Sequence, residues 1–85
     1  MQAEIYHLSE QLGSALLQQG TTVTTAESCT GGGVAHAITA VAGSSSWFNC
    51  GFVTYANSAK QRMLGVPSDI IERDGAVSEA VVRQM

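Results

Sequence analysis

Charge is scarce in this chain, and basic charge scarcest: Lys and Arg total four of 85 residues without forming a cluster, charged residues make up 13%, and the net charge is −3. Nucleic acid, which is gripped through a positive stripe along its phosphates, is therefore not an expected partner. Two cysteines, Cys29 and Cys50, are too few for a disulfide framework. With His7 and His36 they form no C-x2-C or H-x3-H pair, so no metal is expected, and both read as small buried hydrophobes. No apolar run approaches the ~20 residues that span a bilayer. Met1-Gln2-Ala3-Glu4 has neither the basic residues nor the apolar core of a signal peptide. The expectation is a reduced, cytoplasmic setting without a membrane.

What the chain has in quantity is apolar surface, 45% of its residues. A polypeptide of this size buries only about 60–65% of its unfolded surface, so part of that material stays open to solvent and invites a partner. A homo-oligomer is expected, through edge-to-edge strand pairing or a swapped helix.

Apolar spacing predicts a helix from about Ala3 to Gln19, with Ile5, Leu8, Leu12, Ala15 and Leu16 in one stripe and Gly20 as its C-cap. Thr21 to Glu27 is β-branched and reads as a strand. A helix follows through Val34, Ala35, Ala37, Ile38 and Val41 and stops at Gly43. Phe48 to Tyr55 is the second strand, and Asn57 or Ser58 caps a short helix carrying Lys60, Met63 and Leu64. Gly65-Val66-Pro67 breaks the chain, Ser68 caps a further short helix, and Ser78 starts the last one after a turn at Asp74-Gly75. Helices alternating with two strands indicate the α/β class with a mainly parallel sheet. A lone strand pair is marginal in water, which marks the chain as the first half of a three-layer α/β/α domain, with two strands and four to five helices within one partial unit spanning 1–85.

Two local patterns carry chemistry. Thr25-Ala26-Glu27-Ser28-Cys29-Thr30-Gly31-Gly32-Gly33 runs from a strand through a glycine turn into a helix start, which gathers backbone N–H groups at one point. It is neither a dinucleotide fingerprint nor a Walker A loop, and a plain tight connection explains its shape equally well. The second pattern is Lys60, which falls where a capping box wants Glu or Gln if Asn57 is the N-cap. A cation in the first turn opposes the helix dipole and favours the neutral amine, the form a general base needs. A lysine reaching into solvent is the ordinary alternative. Cys29 beside a helix N-terminus has nucleophilic potential, yet His36 lies about two turns on, roughly 10 Å along the axis, and no other base is near. Glu27 either orients Lys60 or a ribose hydroxyl, or serves as a charge at a helix start.

Taken with Gly43-Ser44-Ser45-Ser46-Trp47-Phe48, with Gly51-Phe52-Val53-Thr54-Tyr55-Ala56-Asn57-Ser58-Ala59-Lys60 and with Gly75-Ala76-Val77-Ser78, the glycine turn resembles the CinA C-terminal domain family over essentially the whole chain. Domains of that family are roughly twice this length, in keeping with a compact domain. The resemblance implies a nicotinamide-nucleotide amidohydrolase that converts nicotinamide mononucleotide to nicotinate mononucleotide and ammonia without a metal or cofactor. It implies Ser45 as nucleophile, Lys60 as general base and Tyr55 as a hydroxyl that relays the proton or orients the amine, a variant of the triad logic. Ser28, Thr30, Gly31 and Gly32 would hold the nucleotide, with Ser44 and its neighbours offering backbone donors to the oxyanion. The choice of Ser45 over Ser44 or Ser46 comes from the family register alone. An inactive nucleotide-binding or oligomerisation module that ends early, at Met85, is the competing expectation.

Overall fold

The glycine that ends the first helix also sets where the sheet begins. In the computed structural model, which describes residues 1–85, helix α1 covers Ala3–Gln19 and Gly20 follows it in the left-handed region at φ 66°. That turn lets the N–H of Gly20 reach the carbonyl of Leu17 and the N–H of Thr21 reach that of Leu16. With its amide engaged there, Thr21 cannot enter the sheet, and strand β1 starts two residues later than the β-branched run suggests, at Val23–Glu27. Helix α2 (Gly33–Thr39), a 3-10 turn (Ser44–Ser46), strand β2 (Phe48–Val53) and helices α3 (Asn57–Leu64), α4 (Ser68–Asp74) and α5 (Glu79–Gln84) complete the chain. The expected α/β class holds, with two parallel strands and five helices. The strand pairing is read from Val23 N–H to the Trp47 carbonyl (2.8 Å), Thr24 Oγ1 to the Cys50 carbonyl (2.6 Å) and Thr54 N–H to the Glu27 carbonyl (2.8 Å). Residue numbers climb together on both sides, as parallel strands require.

The chain divides into two compact units, Met1–Thr25 with Gly32–Gly51, and Ala26–Gly31 with Phe52–Met85. In the first, α1 packs on α2. The side of α1 that is buried carries Ser9 and Gly13, while Ile5, Leu8 and Leu12 of the apolar stripe are 41%, 56% and 37% exposed. Gly13 is buried because the Trp47 ring lies on its backbone: a Cβ there would come within 2.5 Å of the ring carbon Cζ2. A glycine inside a helix costs up to about 1 kcal/mol against alanine, and here it admits the largest side chain of the unit. The buried hydroxyl of Ser9 is satisfied by the Ile5 carbonyl at 2.9 Å. Helix α2 stops at Thr39 rather than Val41, because the carbonyls of Thr39 and Val41 accept from Ser44, through Oγ and N–H respectively, as the chain turns. Gly51 of β2 is likewise fixed by close approach, since a Cβ there would overlap Thr25 Oγ1.

The second unit has an aliphatic core of Val66, Ile71 and Val81, flanked by Leu64, Ile70, Ala76 and Met85. Its helix starts differ from two expectations. The N-cap of α3 is Ala56, not Asn57 or Ser58, and Pro67, not Ser68, precedes α4; neither supplies a side-chain cap. Lys60 is consequently the fourth residue of its helix, still within the first turn, and the capping-box register does not apply. The cap of α5 is Ser78, whose Oγ accepts from the Val81 N–H at 3.3 Å. Both cysteines are exposed, against the expectation of buried hydrophobes. Cys29 occupies a left-handed turn position at φ 72°, and Cys50 lies on β2, which is exposed from Asn49 to Val53. No helix is long and apolar enough to cross a membrane.

Candidate active site

At the end of β1 the second unit buries a carboxylate. Glu27 is 4% exposed, and two groups of Thr54 donate to its backbone carbonyl, the N–H at 2.8 Å and Oγ1 at 3.0 Å. Its side chain accepts from Thr30 Oγ1 at 2.7 Å. Thr30, expected to hold a nucleotide, thus has its hydroxyl hydrogen already engaged by Glu27. Beyond Glu27 the chain makes a tight reversal in which Cys29 and Gly31 both take positive φ, 72° and 61°. The amides of Cys29, Thr30 and Gly31 take no part in the backbone bonding of turns and caps, which leaves them available to an acceptor. Ser28 is half-buried, with its Oγ 3.8 Å from the Cys29 sulfur.

Tyr55 and Lys60 belong to the same unit, on either side of the α3 start. Tyr55 follows the buried Thr54 but is itself 74% exposed, and its hydroxyl makes no hydrogen bond. Lys60 is the opposite, 2% exposed. The ion pairs of the molecule are Arg73 with Asp74 and Arg83 with Glu79; Lys60 joins neither, nor any side-chain hydrogen bond. A lysine so deeply packed without a counter-ion is unusual, since lysine is almost never fully buried unless paired.

Ser44, Ser45 and Gly32 belong to the first unit. Gly43 enters the serine turn at φ 86°, a conformation that suits glycine. Three of the amides here are engaged: Ser44 donates to Val41, Ser46 to Gly43 and Trp47 to Ser44. The Ser44 hydroxyl is engaged too, on the Thr39 carbonyl at 3.2 Å. Ser45 differs from its neighbours in that neither its N–H nor its hydroxyl is bound in the turn. That distinction could not be read from three consecutive serines. Gly32, at φ 94°, is the N-cap of α2.

No motif in the local sequence singles out Thr54, and Glu27 has a role there only as one of two alternatives. The available signal for Thr54 is a lone polar β-branched residue closing an apolar strand. No cluster of His, Cys, Asp and Glu is arranged to hold a metal ion.

A family model described as the CinA C-terminal domain matches residues 5–85. Nicotinamide-nucleotide amidohydrolase PncC of Escherichia coli K12 is 59% identical over 83 residues, which cover 98% of this chain and 50% of that protein. The protein of the same name from Pseudomonas putida is 55% identical over 78 residues, 92% of this chain and 49% of its own length. The crystal structure of competence/damage inducible protein CihA from Agrobacterium tumefaciens superposes with a TM-score of 0.98 at 44% identity, over 100% of this chain and 52% of that one. The chain thus spans about half the length of these relatives.

Proposed function

The chain belongs to the CinA C-terminal domain family, and from that membership we propose that it carries the nucleophile and base of a nicotinamide-nucleotide amidohydrolase. The substrate in this reading is nicotinamide mononucleotide, hydrolysed at its carboxamide to nicotinate mononucleotide and ammonia, in the cytoplasm and without a cofactor. The observation that carries it is Lys60, buried to 2% exposure with no ion pair, which leaves the amine uncommitted to any carboxylate and able to exchange a proton with a reacting group.

In this mechanism the Ser45 hydroxyl attacks the carboxamide carbon as Lys60 takes its proton, giving a tetrahedral oxyanion. The N–H of Ser45, outside the bonding of its own turn, is a natural donor to that oxygen. Collapse of the intermediate expels ammonia as Lys60 returns the proton, and water then hydrolyses the acyl ester by the same exchange. Tyr55 relays the proton or orients the amine. Ser28, Thr30, Gly31 and Gly32 hold the nucleotide through the turn after β1, with Ser44 shaping the turn around the nucleophile.

Ammonia release from nicotinamide mononucleotide by the wild-type chain, by Ser45→Ala and by Lys60→Met is the test. Each variant should lose roughly 100- to 10,000-fold in kcat with its circular dichroism unchanged. Wild-type turnover that persists in either variant rejects the mechanism.

A second reading is favoured by the exposed α1 stripe and the exposed β2, namely an oligomerising module that binds the nucleotide without turning it over. Calorimetric binding without ammonia release, with a mass above the monomer by light scattering, would select it.

A further inference from the structure

We propose that Thr54 is a positioning residue that fixes the turn after β1 relative to the segment bearing Tyr55 and Lys60, and thereby sets how tightly the mononucleotide is held. The catalytic part of this proposal rests on the amidohydrolase reading; the structural part does not.

Thr54 is 1% exposed, a polar side chain more deeply buried than the aliphatic core residue Val66 at 2%. Both of its donors converge on one acceptor, the Glu27 carbonyl, at 2.8 and 3.0 Å. A carbonyl has two lone pairs, so this pair of bonds saturates it. Glu27 is the last residue of β1, and from its other end the carboxylate holds Thr30 at 2.7 Å. A continuous relay therefore runs from Thr54 through the backbone and side chain of Glu27 to Thr30. Tyr55 is the next residue after Thr54, and Lys60 follows one turn into α3. A backbone N–H alone would fix the distance between the strand ends. The added hydroxyl fixes the angle at which the Glu27 peptide, and hence the turn, is presented, and that angle decides where the turn amides sit.

Thr54→Val keeps shape and the N–H bond and removes only the hydroxyl; Thr54→Ser keeps the hydroxyl. In Thr54→Val the KM for nicotinamide mononucleotide should rise about 3- to 10-fold, the scale of one buried hydrogen bond, with kcat within about twofold. Thr54→Ser should restore the wild-type KM. Amide chemical shifts at Glu27–Gly31 should move in the valine variant and return in the serine variant, while those of Ile71 and Val81 stay put. A residue with a merely structural role would lower the unfolding midpoint and leave KM and those shifts alone, and that result overturns the proposal.

If the wild-type chain releases no ammonia, the amidohydrolase reading falls, and the shifts still decide the case for Thr54. Should Thr54→Val fail to fold, Thr30→Val opens the relay from its far end. It should shift the Thr54 amide, and an unmoved Thr54 amide refutes the relay.

Discussion

In the unit of Met1–Thr25 and Gly32–Gly51 a single indole, Trp47, lies on the bare backbone of Gly13, whereas in the unit of Ala26–Gly31 and Phe52–Met85 three branched aliphatics, Val66, Ile71 and Val81, pack together. The first interior depends on the absence of an atom and the second on the presence of several. Both units bury polar groups, but of different kinds. Glu27, Thr54 and Lys60 are buried in the second unit, while the first buries the serine Ser9. In the second unit the Glu27 carboxylate accepts from Thr30 and the Glu27 carbonyl from the Thr54 hydroxyl. In the first, the indole seated on Gly13 leaves its own Nε1 buried without a hydrogen-bond partner, as the strand residue Thr25 leaves its Oγ1.

Removing volume should therefore hurt the second unit most. Val81→Ala, at a position with no exposure, should cost about 2–3 kcal/mol in urea unfolding, through lost transfer energy and the cavity left behind. Adding volume should hurt the first. Gly13→Ala gains up to about 1 kcal/mol of helix propensity and loses about 1–3 kcal/mol to overpacking, for a net destabilisation near 1–2 kcal/mol. The same substitution in a Trp47→Phe background should be closer to neutral, because the ring carbon that meets the new methyl is gone; equal costs in both backgrounds would show that the close approach is not what keeps Gly13. Ser78→Ala removes the one side-chain cap found at a helix start and should cost about 1 kcal/mol. Arg83→Ala, which breaks an exposed pair with Glu79 one turn away, should change stability by less than about 0.5 kcal/mol and sets the floor of the comparison.

The same contrast separates what was legible in the sequence from what was not. Helix α1, its Gly20 stop and the Ser78 cap depend on residues within a few positions of one another, and local sequence is enough to predict them. The buried side of α1 is not legible there, because Gly13 is chosen by a tryptophan more than thirty residues away, and apolar spacing points instead to Ile5, Leu8 and Leu12. Within the candidate site, the residue types at Tyr55 and Lys60 were visible as a pattern. The burial of Lys60 and the engagement of Thr30 by Glu27 arise from packing and were not. Ala56 and Pro67 at helix starts mislead for a third reason. An extended backbone, with ψ of 147° and 137°, is enough to begin a helix when no side chain supplies a cap, and such positions carry no residue signature.

The seating of Trp47 on Gly13 also decides what light reports. Trp47 is the chain's one tryptophan and is 5% exposed, so its emission responds to the first unit and is silent about the aliphatic core of the second. Far-ultraviolet dichroism, by contrast, sums over α3, α4 and α5 as well as α1. Thermal curves recorded by the two probes will coincide only if both interiors melt in one cooperative step. An emission midpoint below the dichroism midpoint would mean that the indole leaves its glycine seat while the helices around Val81 are still intact, and fluorescence used alone would then understate how long the lysine-bearing helix survives.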